Sequence, residues 1–338
     1  MGDATSIERA QFVTRKNYSA LPPHLKIETD SYPIRQSAID FMKSFSKAFP
    51  EEAAESNEHI KAIWYQHETE CDDSYVIYSF HGGAYVLGSA EIEMPLLYGL
   101  AKKSRSRIFS VNYRLAPQYR FPCAVIDALS GYMHLLDKGI EPSRIVLHGC
   151  SAGGGLTMSL LLAIRELGLP MPAGAYLMCA WLDLTHSFPS FTDNADTDFL
   201  PDGSPENHHR LENQKHFYAP DSELKNPYVS PIFATSFKMM PPILAQTGTV
   251  ERLFDENVAL ASRLAKESDT FVRLETYKDQ VHTFQAFTFL PTSSKAFDMA
   301  VDFIKTVTDR LPSSQKVSTR TDFGHDGECI DERLFAKL

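Results

Sequence analysis

The chain alternates between short, nearly unbroken apolar runs and longer stretches whose apolar residues recur every three to four positions. The runs are YVIYSF at 75–80, IFSVNY at 108–113, IVLH at 145–148, AGAYLMCAW at 173–181, PILAQT at 242–247 and FVRLETY at 271–277. Runs of this length, bounded by glycine, proline or charge, predict strands buried on both faces. Helical periodicity fills 93–103, 122–137, 155–167, 255–267 and 295–310, with Pro122 suited to a first helical turn. Strands that alternate with helices predict an α/β fold built of crossover units on a mostly parallel sheet.

Two regions break the rhythm. Residues 1–60 read as helical and loop segments without strand alternation, and 185–238 is polar, with the run DNADTDFLPDGSPENHH. An insertion between two sheet strands belongs over the carboxyl ends of the strands, where open α/β sheets place their sites. We therefore divide the chain into an N-terminal cap segment (1–60), a core (61–184 and 239–320), a cap insertion (185–238) and a C-terminal tail (321–338). A length of 338 residues suits one large domain with such an insertion, and 43% apolar content is enough for its core.

The net charge of -10 disfavours nucleic acid or an anionic membrane as the main partner. No apolar stretch approaches the roughly 20 residues of a membrane span, and the N-terminus lacks the apolar region of a signal peptide. Met1-Gly2 with Ser6 fits a myristoylation pattern only as short matches do by chance. The five cysteines (Cys71, Cys123, Cys150, Cys179 and Cys329) are odd in number and lack metal or redox spacing. Free thiols in a reducing compartment follow, and with them a cytoplasmic location as the expectation.

The sharpest motif is Gly149-Cys150-Ser151-Ala152-Gly153, set between the strand IVLH and a helical stretch. A strand that turns abruptly into a helix leaves no room for side chains two residues either side of the turn. The central serine then projects from the top of the sheet as a nucleophile, and the N–H of Ala152 points at a developing oxyanion. Cys150 is a rival nucleophile by chemistry, but the same geometry turns it toward the interior. His81-Gly82-Gly83-Ala84 follows the strand at 75–80 directly. Glycines there let backbone N–H groups approach a bound group, so Gly82, Gly83 and Ala84 are candidate oxyanion donors. His81 suits pinning that loop rather than acting as base.

A base belongs on a loop after a late strand, with the acid one crossover earlier. Of the twelve histidines only His282 is so placed; His208 and His209 lie in the cap insertion and His325 in the tail. For the acid, Glu251 stands at the end of the strand at 242–247, and Asp255 one helical turn later is an alternative that could instead cap the helix.

With these residues in hand, the chain resembles the hormone-sensitive-lipase-like branch of the α/β-hydrolases, the carboxylesterases named for a Gly-Asp-x-Gly motif. HGGAYVLGS (81–89), VNYRLAPQYRFPCAVIDAL (111–129), HGCSAGGGL (148–156), AWLDLT (180–185), NPYVSPIFA (226–234), PPILAQTGTVERLFDENVALASRLAKE (241–267) and VHTF around His282 carry the resemblance. It implies the α/β-hydrolase fold, with a central mostly parallel sheet flanked by helices and a helical cap, and a serine esterase without cofactor or metal. The family's acid ends the strand ahead of a Leu-x-Asp-Glu segment and lands on Glu251, where aspartate is usual. Two further departures stand at Cys150, where aspartate is usual, and at Ala84, where a third glycine is common.

The expected reaction is acyl-enzyme hydrolysis of a small-molecule ester, with a short, acetyl-like acyl group on a bulky alcohol or natural product. The same triad could serve an amide or thioester, including acyl release from a carrier protein, and a non-catalytic binding role on the same fold is a further alternative. Phe188, Phe191, Phe199, Phe217 and Tyr218 could line a pocket or form the cap's own small core. Related folds often build dimer surfaces from the last strands and helices of the sheet, so a homodimer stays open.

Overall fold

A computed structural model describes residues 24–47, 49–54, 58–68, 71, 75–200, 217–268, 271–308 and 318–334. The six apolar runs become β3 (Val76–Phe80), β4 (Arg107–Val111), β5 (Ile145–Cys150), β6 (Gly174–Met178), β7 (Ile243–Gly248) and β8 (Val272–Tyr277). They join β1 (Leu25–Pro33), β2 (His59–His67), β9 (Thr319–Phe323) and β10 (Cys329–Leu334) in one sheet, ordered β1-β2-β4-β3-β5-β6-β7-β8-β9-β10. The strands from β4 through β9 in that order are parallel, and β1, β2 and β10 pair antiparallel at the two edges.

The helices are α1 (Gln36–Lys43), α2 (Ala90–Ser104), α3 (Cys123–Asp137), α4 (Ala152–Glu166), the short α5 (Ser190–Asp193), α6 (Phe254–Glu267) and α7 (Pro291–Thr308). Successive strand residues point to opposite faces. Tyr78, Phe80 and Leu147 thus enter one apolar cluster with α3, α4 and α6, whereas Ile77 and Val146 enter another with α2 and α7. Helices on both faces explain why the central strands read as nearly unbroken apolar runs. Each fully buried residue such as Leu147 contributes about 1.5–3 kcal/mol.

This is the α/β-hydrolase fold with a helical cap. The N-terminal segment packs against residues 223–228. Asn226 Nδ2 donates to the carbonyl of Phe45 at 2.6 Å, the Lys47 N–H donates to the Glu223 carboxylate, and the rings of Phe45 and Tyr228 meet at 5.0 Å.

The strand content of the ends corrects the sequence reading. Residues 1–60 were expected to hold no strand, yet β1 lies within them, and the tail from 321 supplies β10 and most of β9. The reason is edge position. In β1 nearly every side chain is exposed or half-exposed, so LKIETDSYP carries no buried run to betray it. All five cysteines are free thiols, three of them buried. Among the described residues, no helix is long and apolar enough to cross a membrane. Met1, Gly2 and Ser6 lie outside the described residues.

Candidate active site

Ser151 stands between β5 and α4 with φ 54° and ψ −118°, a conformation that L-residues adopt only under constraint. The constraint is local. Ser151 N–H donates to the Met178 carbonyl at 2.9 Å, and the Ser151 carbonyl accepts from Gly154, Gly155 and Trp181 at 2.9–3.2 Å. A Cβ on Gly149 would lie 2.0 Å from the Gly153 carbonyl oxygen, and one on Gly153 would lie 2.0 Å from that of Phe80. The two glycines therefore let the turn close against β3, and Ser151 is left half-exposed above the sheet.

His282 follows β8 and is 3% exposed. Its Nε2 lies 2.9 Å from Ser151 Oγ and its Nδ1 lies 2.7 Å from Glu251 Oε2. A carboxylate oxygen can only accept, so Nδ1 carries the proton and Nε2 is free to accept from the serine hydroxyl. Glu251 is fully buried, and its other oxygen accepts from Thr247 Oγ1 and, at 3.2 Å, from Gly248 N–H.

Asp255 is engaged elsewhere. Its Oδ2 accepts from Ser190 N–H at 2.8 Å, and its own N–H donates to Ser190 Oγ at 3.0 Å, a reciprocal clasp between α5 and the start of α6. The neighbours Glu256 and Asn257 act likewise, accepting the N–H groups of Leu182 and Ala180 at 2.5 and 3.2 Å. The start of α6 thus fastens the strand end from which the insertion departs.

Two positions that hold the site were not singled out from sequence. Thr247, next to last in β7, pins Glu251, which its place near a strand terminus could have suggested. Asp198 accepts His282 N–H at 3.1 Å through Oδ1 and Arg252 N–H at 2.8 Å through Oδ2. One aspartate bridges the loops of His282 and Glu251. In the run DNADTD nothing distinguished it from its neighbours.

The loop after β3 carries Gly83, Ala84 and Tyr85 at φ of 114°, 54° and 63°. A Cβ on Gly82 would stand 3.4 Å from Ser151 Cβ, so the loop passes directly beside the serine. The N–H groups of Gly83, Ala84 and Ala152 have no hydrogen-bond partner among the described residues. Gly82 differs from expectation as a donor, because its N–H is committed to Glu93 Oε1 at 2.7 Å. His81 Nδ1–H donates to the Gly82 carbonyl at 2.7 Å, its ring stacks on Tyr113 at 4.2 Å, and burial pulls its pKa down to about 4. Held neutral, it braces the loop.

Cys150 is 5% exposed, and burial pushes its thiol well above the usual range, so it stays protonated and unreactive. Cys179, Glu251 and His282 bring one sulfur, one oxygen and one nitrogen within 4.8 Å of one another. Two of these three donors already bond each other, and Cys179 Sγ faces Gln285 Oε1 at 3.6 Å. His325 pairs with Asp279 at 3.1 Å on the surface, and His208 and His209 lie outside the described residues.

A family profile described as "alpha/beta hydrolase fold" matches residues 77–286. The chain is 31% identical to an acetyl-hydrolase of Streptomyces hygroscopicus over 251 residues, which span 74% of this chain and 81% of that one. An esterase of Acinetobacter venetianus is 30% identical over 70% of this chain and 76% of its own. Among solved structures, an esterase from the bacterial hormone-sensitive lipase family aligns with TM-score 0.74 and 28% identity, covering 91% of this chain and 93% of that one. The esterase EstE5 aligns with TM-score 0.75 and 27% identity over 91% and 93% of the two chains. The chain belongs to the hormone-sensitive-lipase-like α/β-hydrolases. It is a carboxylesterase-type serine hydrolase that works through an acyl-enzyme.

The cap aromatics of this esterase divide by burial. Tyr218 is fully buried and stacks on Tyr85 at 3.8 Å, and Phe191, 8% exposed, stacks on His186 at 3.7 Å. Both are packing residues, and Phe188 is packed against the same core. Phe217 is 44% exposed, and Phe199, 58% exposed, holds its ring 6.2 Å from that of His282. Of the five, Phe199 is the one whose ring lies beside His282.

Proposed function

We propose that Ser151 is the nucleophile of this esterase, His282 its base and Glu251 its acid, and that the substrate is a short-chain, acetyl-like ester of a bulky alcohol. The observation that carries the assignment is the unbroken hydrogen-bond line from Ser151 Oγ through His282 to the buried Glu251. His282 Nε2 takes the hydroxyl proton as Oγ attacks the ester carbonyl. The N–H groups of Gly83, Ala84 and Ala152 are the unspent donors for the oxyanion, each worth roughly 3 kcal/mol in such sites. Gly82 serves the loop's path rather than the oxyanion directly. The imidazolium then protonates the leaving alcohol, and water activated by the same nitrogen releases the acid. Glu251 holds the imidazole in this orientation throughout.

The exposed Phe199 beside His282 supports the alcohol reading, because the leaving oxygen collects its proton from that imidazole and its substituent must lie against this ring. The printed name of the Streptomyces relative supports a short acyl group. The test is hydrolysis of p-nitrophenyl acetate, butyrate and octanoate, and of acetates of bulky alcohols, by wild type, Ser151→Ala and Phe199→Ala. Ser151→Ala is expected to abolish turnover, and Phe199→Ala to raise KM for bulky acetates alone. Activity retained by Ser151→Ala would overturn the assignment; faster turnover of octanoate or of matched amides and thioesters would overturn the substrate class.

A further inference from the structure

We infer that Glu93 is a positioning residue for the oxyanion loop, supplying from α2 a carboxyl group that the elbow, with Cys150 before the serine, lacks. The inference rests on Ser151 being the nucleophile.

The geometry is direct. Glu93 lies in the first turn of α2, which begins only six residues beyond the loop and carries its side chain back beneath it. Glu93 Oε1 accepts the Gly82 N–H at 2.7 Å. Without that acceptor the Gly82 N–H would sit beside Gly83 and Ala84 as one more donor, free to draw the peptide toward the ester. With it, the loop has a fixed lower edge, and the next two N–H groups are the ones left for the oxyanion.

The thiol of Cys150 faces the same carboxyl group. Glu93 Oε2 is buried and has no conventional hydrogen-bond partner among the described residues. An ionised oxygen so placed would be costly, and burial raises this carboxyl to about 8. At neutral pH Glu93 therefore keeps its proton while Oε1 accepts the Gly82 N–H. A neutral thiol tolerates such a neighbour; a second carboxylate would not.

Position 150 could itself carry the acceptor. Cys150 Sγ lies 3.6 Å from where a Gly82 Cβ would stand, so an aspartate there reaches the same peptide. The two positions are then alternative sources of one carboxyl group. Having neither leaves the loop unheld, and having both crowds two acids together.

The experiment compares wild type, Glu93→Gln, Glu93→Ala, Cys150→Asp, the Glu93→Ala/Cys150→Asp double variant and Ser151→Ala. It uses p-nitrophenyl acetate, with active sites counted from the burst of p-nitrophenol and folding followed by thermal melting. Glu93→Ala is expected to lower kcat per active site by roughly 30–100-fold with KM little changed, in keeping with misplaced rather than missing donors. Glu93→Gln, whose amide oxygen still accepts the Gly82 N–H, should stay within about threefold of wild type. Cys150→Asp should lose activity alone yet restore the double variant at least about tenfold over Glu93→Ala.

A loss in Glu93→Ala caused only by weakened folding would appear in melting temperature and burst size and would not be rescued from position 150. Wild-type kcat in Glu93→Ala, or a double variant no better than Glu93→Ala, overturns the inference while Ser151→Ala remains dead. Activity retained by Ser151→Ala overturns the nucleophile assignment, and this inference with it.

Discussion

Replacing Glu251 by glutamine exchanges one oxygen for nitrogen at a site where every neighbour is fixed. Glu251 is fully buried; Oε1 accepts from Thr247 Oγ1 and, at 3.2 Å, from Gly248 N–H, and Oε2 accepts from His282 Nδ1–H at 2.7 Å. An amide here must keep its oxygen on the first pair, because turned over it would set NH2 against the Gly248 N–H. Its nitrogen then donates to His282 Nδ1. An imidazole that accepts at Nδ1 carries its proton on Nε2, and at 2.9 Å that proton points at Ser151 Oγ. His282 is then present and in place, but in the wrong tautomer to take a proton from Ser151. The corresponding change in the Ser-His-Asp template lowers kcat by about 10⁴ with geometry intact, or roughly 5 kcal/mol of barrier.

We expect kcat of Glu251→Gln for p-nitrophenyl acetate to fall by roughly 10³–10⁴ with KM within about threefold. Asp255→Asn, which touches only the clasp to Ser190, is expected to keep kcat within about threefold and to lose on the order of 1 kcal/mol of stability. A folded Glu251→Gln enzyme with more than about a tenth of wild-type kcat would refute the tautomer argument. The same outcome joined to an inactive Asp255→Asn would move the acid role to Asp255.

Three further outcomes follow from buried groups. Asp127, fully buried on α3, binds Arg114 by a hydrogen bond from Nε at 3.0 Å and an ion pair with Nη2 at 2.8 Å; Asp127→Ala strands that guanidinium and should cost about 3–5 kcal/mol in guanidinium chloride unfolding, and a loss below about 1 kcal/mol would show the arginine finding water instead. Ala84 holds a left-handed φ of 54°, so Ala84→Gly should raise stability by about 1 kcal/mol, and an unchanged or lower melting temperature would contradict the strain. Burial raises Glu275 to about 7, against the pull of Gln246, Arg273 and Tyr277. The folded state therefore holds a proton that the unfolded chain has released, and stability falls between about pH 4.5 and 7 by up to about 3 kcal/mol from this group. Glu275→Gln removes that loss, so its urea midpoint should gain on wild type as pH rises from 5 to 8, and parallel profiles would dismiss the effect.

The central sheet was legible because helices cover both faces, which buries β3 to β8 at almost every position and makes them mostly apolar. Edge strands escape this rule. In β1 the side chains of Glu28, Thr29 and Asp30 face water or its margin, and the strand is defined by pairing with His59–His67, across a helix and a loop. β10 adds a register shift between Cys329 and Asp331, which breaks any alternation. Within the site, Ser151, His282 and Glu251, which the structure brings into one hydrogen-bonded line, stood out in the sequence because chain order and strand ends constrain where such residues fall. Asp198 was not, since a residue that accepts two backbone N–H groups from distant loops has no local signature.

The three departures from the family pattern make the same point more sharply. Read singly, Cys150, Ala84 and Glu251 are a lost carboxylate, a lost glycine and an acid one methylene too long. Each has a counterpart elsewhere in the chain. Glu93 brings a carboxyl group to the Gly82 peptide that an aspartate at 150 could also reach. The Gly83 carbonyl accepts from both Val86 and Leu87 at 3.0 and 2.8 Å, closing the turn that holds Ala84 in its left-handed conformation. Thr247 and Gly248 seize Oε1 of Glu251, so the extra rotatable bond leaves the oxygen facing His282 no freedom. A substitution at such a site is therefore interpretable only with its partner, whether that is a turn beside it, as for Ala84 and Glu251, or a carboxyl group brought from another helix, as for Cys150. That is why reverting Cys150 to aspartate alone should harm this enzyme and reverting it in the absence of Glu93 should help.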